Sequence, residues 1–148
     1  PMLEMHPVDY TNDPYLAARN DKLVSINATL QVDLLGQCCS ESFGPQPYSG
    51  TGGQVDFVRA ANRSRDGKSF IVLASTAKGD SISRIVPALS PGAHVTTGKN
   101  DVNYVVTEYG LAELRGKTAR QRAQALIGIA HPDFRGELSE AARRLKLI

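Results

Sequence analysis

Between Leu23 and Gly36 the apolar residues Leu23, Ile26, Ala28, Leu30, Val32 and Leu34 fall largely on alternate positions. That is the period of a strand with one apolar and one wet face, so a single long strand is expected there. Ser69 to Ser75 (SFIVLAS) is instead a continuous, partly β-branched apolar run, the composition of a strand covered on both faces. AHVTTG and NYVVTEYG read as two further strands. Helical periodicity takes over in QVDFVRAAN, which opens at Gln54. It returns in TARQRAQALIGIA, where Ala119, Ala123, Leu126, Ile127 and Ala130 share a face opposite Arg120, Gln121 and Gln124. SEAARRLKLI closes the chain as another amphipathic helix, capped at Ser139 or an earlier residue. Near the start, Asp13 before Pro14 supplies a capping carboxylate and then the residue suited to the first helical position, predicting a short helix over about 14 to 20.

Strands alternating with helices argue for an α/β domain with a mostly parallel or mixed sheet flanked by helices. With 148 residues, 41% hydrophobic and 22% charged, the whole chain, 1–148, fits one globular domain able to bury a core. The formal charge is only +2 and no run of like charges forms, which argues against a nucleic-acid partner. Cys38 and Cys39 are adjacent, a poor basis for a disulfide framework, so a reducing compartment is expected. No apolar run approaches the roughly 18 residues that span a bilayer, and PMLEMHPVDY lacks the regions of a signal peptide. The expectation is a protein with no membrane partner, cytoplasmic, or mitochondrial in a eukaryote.

The most suggestive chemistry lies in GPQPYSGTGGQVDFVRAAN, Gly44 to Asn62. Gly50, Gly52 and Gly53 free the backbone to turn its N–H groups into one small space, directly before a helix whose dipole adds positive potential. Such a loop suits an oxyanion or a phosphate. The spacing matches neither the P-loop nor the dinucleotide fingerprint, and a glycine-rich loop is more often a tight turn. Glu41, Asp56, Glu108 and Glu113 are candidate bases, with Glu108 at the C-terminal end of an apolar strand, where α/β sheets place ligand-facing groups. The plainer reading pairs Glu108 with an arginine such as Arg115. His6, His94 and His131 lack metal-ligand spacing, and His131 before Pro132 suggests a helix-ending turn. Cys38 and Cys39 read as small buried residues, with a thiol nucleophile the less supported option. Lys78 in STAKGD follows an apolar strand and reads as a turn lysine or a partner for phosphate or carboxylate.

HPVDYTNDP, SGTGGQVDFVRAA, ASTAKGDSISRIVP and VTEYGLAELRGKTARQRAQALIGIAHPDFRGEL together resemble, in order and over nearly the whole chain, the C-terminal part of the acetyl-CoA hydrolase/transferase family. These are class I CoA-transferases that include 4-hydroxybutyrate and acetate CoA-transferases. The resemblance implies one half of a NagB/RpiA/CoA-transferase-like α/β enzyme, with the active site between two halves. It implies coenzyme A as a substrate, an acyl-CoA and a small carboxylate as partners, no covalently bound cofactor, and a homo-oligomer. In such enzymes a glutamate attacks the thioester and forms a glutamyl-CoA intermediate, dividing one hard transfer into easier steps.

By the same resemblance, Gly52 or Gly53 offers an amide to the thioester oxygen, Asn12 sits beside it, and Lys78 lies near the same site. The nucleophilic glutamate belongs to a segment upstream of the region resembled, so Glu4, Glu41 and Glu108 are not assigned that role. The chain is therefore expected to be a C-terminal domain without its N-terminal half, inactive alone and exposing a face that the other half covers. A hydrolase of the same family, a free-standing acyl-CoA-binding module, and a thioesterase using Cys38 or Cys39 are the alternatives.

Overall fold

The computed structural model describes residues 2–148. Helices α1 (Val8–Thr11) and α2 (Pro14–Ala17) lead into strands β1 (Val24–Ala28) and β2 (Gln31–Asp33). The short strands β3 (Cys38–Cys39), β4 (Ser42–Phe43) and β5 (Gln46–Pro47) precede helix α3 (Gln54–Arg63). β6 (Lys68–Val72) is followed by β7 (Thr76–Ala77), β8 (Ile82–Ser83) and β9 (Ile85–Val86). β10 (Tyr104–Thr107), β11 (Gly110–Glu113), α4 (Ala119–Gly128) and α5 (Pro132–Arg144) complete the order. No helix among the described residues is long and apolar enough to cross a membrane.

The main sheet has four strands in the order β1-β6-β10-β11. β1, β6 and β10 run parallel and β11 returns antiparallel, giving the mixed α/β sheet expected. A three-stranded sheet, β3-β2-β9, and the hairpins β4-β5 and β7-β8 stand beside it. The inner face of the main sheet contributes Ile71, Val105 and Ala112 to one core with Val58 of α3, Ala123 and Leu126 of α4, and Leu138 and Ala142 of α5. Helix starts follow local chemistry. The Asp13 carboxylate accepts from the Tyr15 and Leu16 amides, and Thr118 and Gln121 form a reciprocal capping box on α4.

Several expectations change. The long strand is two strands in different sheets, because at Thr29 the chain leaves the main sheet: the Thr29 hydroxyl donates to the Cys39 carbonyl at 2.8 Å, and the Leu30 amide donates to it at 2.9 Å. In β1 the expected phase is reversed. Ser25 is buried, whereas Val24 and Ile26 are 55% and 67% exposed. The polar side faces α3, where Ser69 donates to Asn62 at 2.9 Å and Ala60 and Ala61 are fully buried, so small residues on both elements let the helix lie close.

SFIVLAS is covered on one face only: Ser69 and Ile71 are buried, while Phe70 and Val72 are half-buried. AHVTTG forms no strand beyond a single bridge from Thr97 to Cys38, and NYVVTEYG ends as a strand at Thr107 before turning back into β11. α5 begins seven residues before Ser139, at Pro132, with the His131 ring nitrogen accepting from the Asp133 amide at 3.3 Å. His131 thus opens a helix, α4 having already ended at Gly128.

Register places Val24, Ile26 and Ala28 of β1, Phe70 and Val72 of β6, Tyr104 and Val106 of β10 and Leu111 of β11 on the outer face of the sheet. Phe70 stacks on Tyr104 at 5.2 Å, and Leu111 is 52% exposed. Sheets with parallel strands ordinarily bury both faces. Here the outer one is largely apolar and open, with Lys68 and Glu113 at one end of it.

Candidate active site

The glycine loop is delivered by a hairpin. The Glu41 carbonyl accepts from the Tyr48 and Ser49 amides at 2.7 and 3.2 Å, closing β4-β5 and sending the chain into Gly50–Gly53. On the far side, the buried Gln54 side chain donates to Thr97 Oγ1 at 3.0 Å and anchors the first turn of α3. Gly53 is the N-cap residue and no side chain caps the helix, so its first amides have neither an intrahelical acceptor nor a side-chain one. Gly52 has φ +60 and nothing within 4 Å of where a Cβ would stand. Gly50 has the same open surroundings.

Asn12, the C-cap residue of α1, meets this loop. A Cβ on Gly53 would lie 2.5 Å from Asn12 Nδ2 and 3.2 Å from the Phe57 ring, so any larger residue displaces the Asn12 amide from its present place. The Asn12 carbonyl oxygen accepts from Thr11 Oγ1 at 3.1 Å, while its Nδ2 has no acceptor among the described residues. A side-chain N–H donor thus stands beside the uncapped first turn of a helix, where the dipole favours negative charge on oxygen. An open cavity beside Asn12 is bordered by Asp9, Asp13 and Asp56.

Lys78 lies on another hairpin, and no residue lines both its cleft and the cavity beside Asn12. It sits at φ +52 in the β7-β8 turn, and its ammonium has no hydrogen-bond or ion-pair partner among the described residues. It lines a separate cleft with Phe43 and Ile82.

Glu108 lies at the C-terminal end of β10 as expected, but its partner is Ser75 rather than Arg115. The carboxylate accepts from Ser75 Oγ at 2.5 Å and from the Ser75 amide at 3.0 Å. Arg115 instead donates to the Asn62 carbonyl at 3.2 Å. The Ser75 hydroxyl holds the Glu108 carboxyl below its ordinary range, against the opposing effect of desolvation. Ser75 was not singled out from sequence; the available signal was that it closes the run continuing β6, parallel to and beside β10.

Because folding lowers the Glu108 pKa, its stabilising contribution is present above the unfolded carboxylate pKa and is lost as pH falls through the folded one. Ser75→Ala is expected to raise the carboxyl pKa and flatten that acid limb. Carbon-detected titration of the Glu108 side chain checks this, and an unchanged midpoint would remove Ser75 as the cause.

The remaining candidates are occupied elsewhere. Glu41 accepts from Thr96 at 3.2 Å, Glu113 pairs with Lys117 at 3.6 Å, and Glu4 pairs with His6 at 3.1 Å. Cys38 and Cys39 are both fully buried, Cys39 Sγ contacts the Ser42 carbonyl at 3.2 Å, and burial pushes the Cys38 thiol up. A thiol nucleophile must be reachable, so neither buried cysteine fits that role.

The model of the acetyl-CoA hydrolase/transferase C-terminal domain matches residues 1–142. Succinyl-CoA:cyclohexane-1-carboxylate CoA transferase of Geobacter metallireducens is 72% identical over 148 residues, covering 100% of this chain and 34% of that protein. 4-Hydroxybutyrate coenzyme A transferase of Clostridium kluyveri is 58% identical, covering 93% of this chain and 32% of that protein. The crystal structure of RipA from Yersinia pestis superposes with a TM-score of 0.90 at 50% identity, over 96% of this chain and 32% of that one. The chain thus spans about a third of the length of the curated relatives it matches. With residues 1–142 of its 148 matched, the chain belongs to the acetyl-CoA hydrolase/transferase family, and the match is to its C-terminal domain.

Proposed function

We propose that this chain is the C-terminal domain of a CoA-transferase that moves coenzyme A between an acyl-CoA and a small carboxylate. The observation that carries the reading is the meeting of Asn12 Nδ2 with Gly53 at the uncapped start of α3. Donors held there before reaction stabilise the oxyanion of each tetrahedral intermediate without rearranging. The amides at Gly52 and Gly53 and the Asn12 side chain bind the thioester oxygen, and Gly50 keeps the approach open. Coenzyme A is a substrate rather than a resident group.

The nucleophile in this reading is a glutamate outside residues 1–148, which forms the glutamyl-CoA thioester. Its domain covers the open outer sheet face, and this chain alone is inactive. The length of the relatives and the exposure of Val24, Ile26 and Leu111 support that arrangement. The complete protein is a cytoplasmic homo-oligomer.

The same cradle serves an acyl-CoA hydrolase if water reaches the acyl-enzyme, and the family name includes both activities. An acyl-CoA-binding module would keep the cradle without turnover. CoA exchange between acetyl-CoA and a small carboxylate by the complete protein separates the three, with Gly53→Val as the variant that breaks the cradle. Exchange supports the transferase, release of free acetate the hydrolase, and binding without either the module.

A further inference from the structure

The segment AHVTTG contributes a single bridge, Thr97 to Cys38, yet both of its threonines are buried, Thr97 completely. Their hydroxyls reach both ends of the glycine loop. After the loop, Thr97 Oγ1 accepts from the Gln54 side chain at 3.0 Å, and Gln54 is the first residue of α3, directly following Gly53. Before the loop, Thr96 Oγ1 donates to the Glu41 carboxylate at 3.2 Å, and the carbonyl of the same Glu41 closes the β4-β5 hairpin on the Tyr48 and Ser49 amides. Thr96 Oγ1 also accepts from the Ser40 amide at 2.9 Å, and the His94 amide donates to Ser42 Oγ at 2.9 Å.

The threonine segment is itself fixed. The Cys38 amide donates to the Thr97 carbonyl at 3.0 Å, and the Cys38 carbonyl accepts from the Thr96 and Thr97 amides at 2.9 and 3.2 Å. Two residues on, Arg122 of α4 donates to the Lys99 carbonyl at 2.8 Å. One dipeptide anchored to the core thus holds the loop on either side of Gly50–Gly53. Little else does so: Gly50 and Gly52 meet nothing within 4 Å of where a Cβ would stand, and no side chain caps the first turn of α3. Oxyanion donors work without rearranging only when held beforehand, and a misplacement of about 1 Å can cost about 10²-fold in rate.

Resting on the oxyanion reading above, we propose that Thr97 is a positioning residue for the transfer: through Gln54 it sets the start of α3 against the thioester oxygen, while Thr96 holds the other end of the loop through Glu41. Neither threonine touches the substrate. Removing the Thr97 hydroxyl leaves the buried Gln54 donor without its partner, so the side chain moves to find another and the first turn of α3 moves with it. The loss falls on the transition state, where the oxyanion forms, rather than on binding of the thioester.

The test is steady-state CoA exchange by the complete protein, with Thr97→Val, which keeps the shape and loses the hydroxyl, and Thr97→Ser, which keeps the hydroxyl and loses a methyl. Thr97→Val is expected to lower kcat about tenfold with KM for acetyl-CoA unchanged, since every tetrahedral intermediate uses the same donors. Thr97→Ser is expected to keep kcat near wild type despite a lower Tm. A kcat that follows Tm across the two variants, or wild-type kcat in Thr97→Val, would overturn the proposal. If Gly53→Val still loses its rate in that case, the oxyanion reading stands without it. Wild-type kinetics in Gly53→Val as well would remove both. Should Thr97→Val fail to fold, Gln54→Met decides by removing the other partner: the same fall in kcat at unchanged KM is expected, and an unchanged kcat overturns the proposal.

Discussion

Gly53→Val in the complete protein is expected to lower kcat/KM for CoA exchange by about 10²–10³, the usual loss when one preorganised oxyanion donor is removed. The cause is steric. The new Cβ would stand 2.5 Å from Asn12 Nδ2, so the amide must leave the cradle. The same Cβ position is 3.2 Å from the Phe57 ring. The backbone itself tolerates the change, because Gly53 has φ −95, within the range of any residue. A variant with wild-type circular dichroism and a lost rate would place the effect at the site. Wild-type kinetics would mean that Asn12 and Gly53 do not act on the thioester.

Neighbouring residues of β6 give the second large effect. Ile71→Ala is expected to destabilise the chain by about 3–4 kcal/mol, because Ile71 is fully buried and its loss leaves a cavity in the core it shares with Val58, Val105 and Leu126. Phe70→Ala, one position away and on the open face, is expected to cost about 1.5 kcal/mol through lost stacking on Tyr104 and partial burial. Urea unfolding of dilute, monomeric chain compares the two. In the complete protein the Phe70→Ala loss should grow as the other domain covers that face. Equal losses in the chain alone would mean that the outer face is already covered in solution, against the arrangement proposed.

What sequence revealed follows from how local each signal was. Asp13–Pro14 and the Gly53–Gln54 start of α3 act within one helical turn, and both were read from sequence; the Thr118–Gln121 capping box is as local, but Gln121 was placed only on the polar face of its helix. The β1 face was misread because alternation shows that two faces differ, not which one is covered. Under α3 the covered side is the small polar one, with Ser25 and Ser69, while Val24 and Ile26 point outward. The break at Thr29 depends on the Cys39 carbonyl, a partner set by tertiary structure.

The site divides in the same way. Periodicity and composition made Gly50, Gly52 and Gly53 a candidate loop, but nothing local joins Asn12 to Gly53, and only the resemblance put them together. The resemblance also put Lys78 near the same site, and in the structure Lys78 lines a cleft with Phe43 and Ile82. Glu108 at a strand end was readable, but Ser75 as its partner required knowing that β6 and β10 are parallel neighbours.

The most direct measurement is to incubate the complete protein with acetyl-CoA, digest it, and map the coenzyme A adduct by mass. The expected result is one glutamate outside residues 1–148 carrying the thioester, formed in the wild type and greatly reduced by Gly53→Val. An adduct on any residue of this chain, or CoA exchange sustained by the 148-residue chain alone and abolished by a substitution within it, would contradict the account.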